Sequence, residues 1–533
     1  MDPLPDRLTM DRMPAEATSG RVRLAELVGA LSLGIDLGFG QPMEHVLRQC
    51  LIALRLAARV GLEEEERAVV YYTALLINVG CHTDAHEQAK WFGDDIEMRS
   101  HKYDPEFQAG PLRAALHGLS SIGAGQPPLH RFRIGLEFMI SGHRETHGMI
   151  AAHAAIARTL AEQLGLPRKT MDAIGSSYEF WDGKGWPGLI SGAEIPIAAR
   201  IASLSEHIEV AHRIGGLRRV VEFTARSGGK QFDPALCKLL HDEGNALLDG
   251  VDSVQVWQSV IDQEPALAVV LSDEQFDAAL LAIANFIDLK SPYTLGHSAA
   301  VAGLASAAAS TLGMSAAEAR TLRRGGLVHA FGRLGVSNSI WDKPGPLGAG
   351  EWERVRMQPY FTDRMLNQSA ALAPLAAIVA QCRERLDGSG YPRGLSGTAI
   401  SRPGRILAVA DVYQALLEPR PHRPARSADE AARVTREEAR TGRLDHEIVE
   451  AVLSAAGHRT RLRRDGPGGL TAREVEVLRL LARGLSTKEI AERLFVSPKT
   501  ASNHIEHIYG KIDAKNRVAA SLFAVQHGLL PEE

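Results

Sequence analysis

The sequence predicts an all-α protein: two related helical domains in tandem, then a small C-terminal helix-turn-helix domain. Three observations carry that prediction. Aromatic residues make up only 5% of the chain while the helix-favouring Ala, Leu, Arg and Glu are abundant, a balance that favours helices over a sheet sandwich. One seven-residue pattern occurs twice, as Trp181-Asp182-Gly183-Lys184-Gly185-Trp186-Pro187 and as Leu386-Asp387-Gly388-Ser389-Gly390-Tyr391-Pro392. Residues 470–533 carry three successive helix-start signals separated by short turns.

A chain of 533 residues is long for a single core, so about three domains are expected. Hydrophobic residues at 45% and charged residues at 23% are ordinary for a soluble globular protein. The net charge of −4 excludes a polycation, so any nucleic-acid binding has to be local. The cysteines Cys50, Cys81, Cys237 and Cys382 are far apart and form no C-x-x-C pair. They read as reduced thiols, not as a disulfide frame or zinc knuckle. The first residues lack a basic-then-apolar targeting pattern. The longest apolar run, residues 370–380, contains Pro374 and falls short of the ~20 residues that cross a bilayer. A cytoplasmic location with no membrane partner is expected.

Residues 1–20, rich in Pro, Asp and Met, read as a disordered leader. The first domain is placed at 21–262. Leu47, Cys50, Leu51, Leu54 and Ala58 give it an apolar helix face at i, i+3, i+4 spacing. The second domain is placed at 263–456, with a helix expected across 262–275 to join the two. Residues 457–469 hold four arginines among Gly and Pro, and form a basic linker that is either a solvated tether or a source of phosphate contacts.

The repeat is tested by spacing. Asp182 to Glu206 and Asp387 to Asp411 both span 24 residues, and His45 to Ile77 and His297 to His329 both span 32. His45 to Asp182 is 137 residues against 90 for His297 to Asp387, so the first copy carries an insertion of loop and short helices, placed within 85–135. Both copies also have a Glu three residues before the Asp, at Glu179 and Glu384.

The second copy resembles the HD-GYP family of metal-dependent phosphohydrolases. The residues that carry the resemblance are Tyr293-Thr294-Leu295-Gly296-His297-Ser298, Val328 to Arg333, the 387–392 signature, and Ile406 to Asp411. That family implies a cluster of His and Asp ligands around divalent metals, which polarise a phosphate and activate water. His297, His329 and Asp411 stand at ligand positions. The metal-bridging carboxylate is replaced by Ala330, and the lysine three residues after it by Arg333. Gln358, Cys382 and Arg383 stand where further histidines are implied. In the first copy His45 remains, while Ile77, Asn78, Ser177, Tyr178 and Glu206 occupy the other positions.

Two readings of His297, His329 and Asp411 stay open. They are hydrogen-bonded relics with no cofactor, or they hold a single residual divalent metal, joined by Cys382. A third possibility keeps a ligand pocket without chemistry, in which Arg333, Cys382, Arg383 and Asp387, with Arg385 nearby, take a small nucleotide.

The C-terminal 64 residues are the most specific. Thr471 with Glu474 and Ser486 with Glu489 are capping boxes that open two helices. Ser497 is an N-cap with Pro498 at the first helical position. The segment closely resembles the LuxR-type DNA-binding domain, through Leu470 to Leu478, Ser486 to Ala491, Val496 to Thr500 and His504 to Lys511. That resemblance implies double-stranded DNA as partner and a homodimer on a two-fold site. On the third helix Ser502, Asn503 and Glu506 are candidate base readers. Lys488, Lys499, Thr500, Lys511 and Arg517 are candidate phosphate contacts.

Two functions are therefore carried forward. One is a DNA-binding transcriptional regulator whose HD-GYP-like domains serve as a sensory and dimerisation platform. The alternative is a metal-dependent cyclic-dinucleotide or nucleotide phosphodiesterase with a DNA-binding tail.

Overall fold

The computed structural model describes residues 22–103, 122–123, 128–138, 143–252, 255–265, 269–459, 470–512, 514–527 and 529. Among them the secondary structure is helical, with isolated bridges in place of strands, as the composition predicts. Two compact units form, one up to His458 and one from Arg459. The leader at 1–20, residues 104–121 and 124–127 of the insertion, and linker residues 460–469 lie outside the described residues. No described helix is long and apolar enough to cross a membrane.

Within the first unit the same local construction occurs twice. Helix His45–Val60 precedes Glu64–Leu76 and the 3-10 turn Val79–His82; helix His297–Thr311 precedes Ala316–Val328 and the turn Phe331–Gly335. Asp36 accepts the Val46 amide at 3.0 Å and Asp288 accepts the Ser298 amide at 2.8 Å, so each pins the helix carrying the first histidine. Arg200 donates to the Ile195 carbonyl at 2.9 Å and to Asp233 at 2.6 Å; Arg405 donates to Ile400 at 2.9 Å and to Asp445 at 3.1 Å.

The repeated Glu has a structural task. Glu179 accepts the amides of Gly188 and Leu189, and Glu384 those of Arg393 and Leu395, all at 2.8–3.0 Å. Each carboxylate closes its signature loop against the preceding turn. The second glycine of each signature lies hard against that turn: a Cβ at Gly185 would come within 2.1 Å of the Phe180 nitrogen, and one at Gly390 within 2.4 Å of the Arg385 nitrogen. Only a residue without Cβ fits there.

Helix Leu24–Gly38 holds the two copies together. It is apolar nearly all round, and Leu27, Val28, Ala30 and Leu31 are fully buried, the pattern of a helix enclosed on every side. A Cβ at Gly34 would meet Met365 and Leu334 of the second copy, and Ser369 donates to Glu26 at 2.8 Å.

The expected joining helix across 262–275 does not form. Helix Val256–Asp262 ends there, and the next helix begins at Asp273 with Ser272 as N-cap. Residues 269–271, between them, pair with the start of the first copy, Leu24 donating to Val269 and Leu271 to Val22, both at 2.9 Å. Arg23 and Tyr72 both reach Glu264 behind this bridge.

Candidate functional site

In the second copy, His297 starts its helix after Gly296, whose φ of 73° lets the chain turn sharply inward. His329 closes the helix Ala316–Val328, and Asp411 sits mid-helix in Arg402–Leu417. The three converge in the core, with candidate ligand atoms within 4.8 Å of one another. His297 Nε2 is 3.2 Å from Asp411 Oδ1, and its Nδ1 is 2.9 Å from Glu418. His329 Nδ1 donates to the Gly326 carbonyl at 2.6 Å; its Nε2 faces Asp411 Oδ1 at 3.5 Å without a hydrogen bond.

The other Asp411 oxygen is taken by the Arg383 guanidinium. Burial opposes the charge on Asp411, yet Arg383, His297 and His329 hold its carboxyl well below the usual carboxylate range. Burial likewise opposes an imidazolium at His297, but Asp411 and Glu418 outweigh it and shift His297 up. His329 is shifted down by burial and by the neighbouring cations His297 and Arg383.

This arrangement can be tested against a metal. The His297 ring is engaged by Asp411 and Glu418, Ala330 offers no donor, and Arg383 places a fixed positive charge on the carboxylate. Cys382 is fully buried and its thiol is pushed up to about 11 by burial, which keeps it protonated. Gln358 donates to the His329 carbonyl at 2.7 Å and so fixes backbone. The residues present do not fit a two-metal centre.

In the first copy the corresponding carboxylate is Glu206. It accepts from Lys102 Nζ, Tyr103 Oη and Asn78 Nδ2, each at 2.6 Å. Burial opposes its charge, and Lys102 with these partners still brings it down to about 2. His45 pairs with Glu209 through Nδ1. Both copies therefore set a basic side chain on the carboxylate, Lys102 in one and Arg383 in the other. Lys102 comes from the insertion, and nothing in the repeat spacing points to it.

A cavity of about 600 Å³ opens over the second cluster. His297, Arg333, Arg383 and Asp411 form its floor, and Trp341, Trp352, Tyr391, Arg420 and Arg423 its walls. Two residues assigned to the pocket from sequence are not in its lining. Cys382 is enclosed in the core. Asp387 lies outside in the signature loop, where it accepts from Ser389 at 2.6 Å. Arg385 likewise turns away, donating to the Glu384 carbonyl.

The comparisons with known proteins agree with this construction. The "HD domain" family model matches residues 282–448, and the model "Bacterial regulatory proteins, luxR family" matches 469–524. The 3'3'-cGAMP-specific phosphodiesterase 3 of Vibrio cholerae is 30% identical over 436 residues, covering 81% of this chain and 94% of that protein. This chain is a member of the HD-GYP family. A second relative, the 3'3'-cGAMP-specific phosphodiesterase 1 of the same organism, is 36% identical over 183 residues, 42% of its length. A crystal structure of a cyclic GMP-AMP specific phosphodiesterase of V. cholerae (V-cGAP3) superposes on 83% of the chain and 99% of that structure, at TM-score 0.57 and 28% identity.

The second unit of this HD-GYP member is the LuxR-type domain, with helices Ala472–Ala482, Thr487–Leu494, Pro498–Lys511 and Arg517–Gln526. Thr471 and Ser486 cap as predicted, and the Ser497 hydroxyl accepts the Thr500 amide at 3.1 Å. Leu478, Ile490, Ala501 and Ile508 form the core, and His504 and Ile505 are half-buried beside it. Lys488, Lys499, Thr500, Asn503 and Glu506 are exposed, and Ser502 is half-buried.

Two expected phosphate contacts are engaged inside the module instead. Lys511 binds Glu474 at 2.6 Å, and Arg517 donates to the Leu481 and Leu485 carbonyls at 2.7 and 2.6 Å, closing the end of the first helix. On the last helix Val518, Leu522 and Val525 are exposed.

Proposed function

We propose that this protein is a cytoplasmic, DNA-binding transcriptional regulator whose HD-GYP unit is a pseudoenzyme, kept as a sensory and dimerisation platform. One observation carries the reading. The Arg383 guanidinium occupies the Asp411 carboxylate on which the metal chemistry of the family depends. Lys102 on Glu206 repeats the substitution in the first copy, so in each copy a basic side chain competes with any ion for the carboxylate.

The exposed Lys488, Lys499, Thr500, Asn503 and Glu506 supply the DNA surface, the N-terminal half of helix Pro498–Lys511 entering the major groove. Val518, Leu522 and Val525 support a homodimer on a two-fold operator. The relatives are named for cyclic dinucleotides, so the small nucleotide that signals to this protein is assigned to that class.

The relatives' names also favour a second reading, a phosphodiesterase with a DNA-binding tail. A turnover assay separates the two. Purified protein with Mn(II) or Fe(II) and 3'3'-cGAMP or cyclic di-GMP is expected to give no hydrolysis, and to retard duplex DNA with a steep salt dependence. Metal-dependent turnover lost in His329→Ala would overturn the regulator-only reading.

A further inference from the structure

We infer that the cavity above His297 and Asp411 is a metal-independent receptor for a nucleotide phosphodiester, with Arg333 and Arg383 as the phosphate-binding pair and Trp341 as the base platform. The inference rests on the regulator reading and deepens it by naming what holds the ligand.

The argument begins with charge. Four guanidinium groups border the cavity, and three are committed to protein partners. Arg420 is paired with Glu418 at 2.7 Å and donates to the Tyr293 carbonyl at 2.6 Å. Arg423 donates to the carbonyls of Ala415, Leu416 and Glu418, completing the end of helix Arg402–Leu417. Arg383 is on Asp411, yet its Nε is buried without a partner. Arg333 has none: among the described residues it makes no side-chain hydrogen bond or ion pair, and its Nη1 is buried and unpartnered.

Arg333 is only 5% exposed. Burial, with the nearby Arg420 and Arg383, pushes its guanidinium down to about 10 against the opposing charges of Asp288 and Asp411. A buried cation with no directly bonded anion is costly, and a fold keeps it where an anion arrives from outside. A guanidinium fork matches phosphate oxygens in pairs.

The walls identify what accompanies the phosphate. The Trp341 ring lies 5.4 Å under the Arg333 guanidinium, and Trp352, 44% exposed, and Tyr391 line the same space. A flat base between such rings is held by stacking. The volume of about 600 Å³ suits a nucleotide and is far larger than a bare anion needs. A dication is disfavoured here, because Arg333, Arg383 and Arg420 converge on the space it would enter.

Isothermal titration of the full chain in EDTA, with cyclic di-GMP as probe and GMP and inorganic phosphate as separate arms, tests the assignment. Saturable binding of cyclic di-GMP or GMP is expected, weakened at least tenfold by Arg333→Gln and by Trp341→Leu, partly kept by Arg333→Lys, and unchanged by Asp387→Ala outside the cavity. Thermal melts show which variants remain folded, and Arg333→Lys serves where Arg333→Gln does not. Binding that appears only with Mn(II), binding of inorganic phosphate alone, or equal affinity in wild type and Arg333→Gln overturns the inference. DNA retardation on the same samples separates the two levels. DNA binding without nucleotide binding sinks the receptor alone, whereas metal-dependent hydrolysis sinks the regulator reading beneath it.

Discussion

Replacing Arg383 with Met removes the cation from Asp411 while keeping most of the side-chain volume. Asp411 is 1% exposed and Arg383 17%, so solvent screens their interaction little. At an effective dielectric of 20, an ion pair ~4 Å apart is worth roughly 4 kcal/mol, and deleting one partner of a buried pair typically costs ~3–5 kcal/mol. His297 at 3.2 Å remains to absorb part of the orphaned charge, so about 3 kcal/mol is expected for Arg383→Met. Urea unfolding of the first unit, followed by tryptophan fluorescence at pH 7, measures it.

Adding Asp411→Asn removes the orphan, and the double variant is expected to recover about 2 kcal/mol of the loss. The pH dependence has a definite sign. His297 is raised in the folded protein, so its contribution is complete below its unfolded value of ~6.5 and is lost as pH rises through the folded one. Arg383→Met leans on His297 more heavily, so its deficit is larger at pH 9 than at pH 6. A single variant within ~0.5 kcal/mol of wild type, or a double variant no better than the single, refutes the account of the site.

Four further outcomes are expected. Gly390→Ala forces a Cβ to 2.4 Å from backbone and destabilises at or beyond the upper end of the ~1–3 kcal/mol usual for overpacking, whereas Gly303→Ala, in a helix with nothing within 4 Å, stabilises by ~1 kcal/mol; melting temperatures compare them. Burial pushes the Asp36 carboxyl up to about 7 from 3.8, so the fold loses stability as pH rises between these values, by up to ~4 kcal/mol; Asp36→Asn flattens the dependence of melting temperature on pH. Elemental analysis finds no stoichiometric Mn, Fe or Zn in wild type and no change in His329→Ala. Asn503→Ala costs ~1–3 kcal/mol of discrimination at one base pair, while Lys499→Ala weakens all sequences alike and lowers the salt slope by about one, both read by DNA retardation across salt.

What was legible in the sequence was local or periodic. The capping boxes at Thr471 and Ser486, the Ser497 cap and the glycines of the signature act within a few residues, and each is built as its spacing implies. The meeting of His297, His329 and Asp411 was legible because the resemblance to the HD-GYP family sets each of them at a ligand position. Long-range partners left no such trace. Lys102 reaches Glu206 from an insertion with no counterpart in the second copy, and Trp341 meets Arg333 through a turn. Glu418 lay closer to view, seven residues after Asp411 and so on the same helical face. The joint at 262–275 misled for a related reason: its pairing partner, residues 22–24, is some 250 residues earlier in the chain. Lys511 and Arg517 looked like free cations because composition does not reveal that Glu474 and two carbonyls claim them.

The enclosure of helix Leu24–Gly38 has a consequence for how the protein is made. Its covering residues Leu334, Met365 and Ser369 lie 300 or more positions after the residues they meet. At ~5–20 residues per second the ribosome supplies them roughly 15–60 s after the helix itself. For that interval this largely apolar helix lacks the covering that the second copy supplies. The first copy is therefore not a finished object when it leaves the ribosome, and a chain that stops after residue 262 exposes the most hydrophobic helix of the unit to solvent and to chaperones.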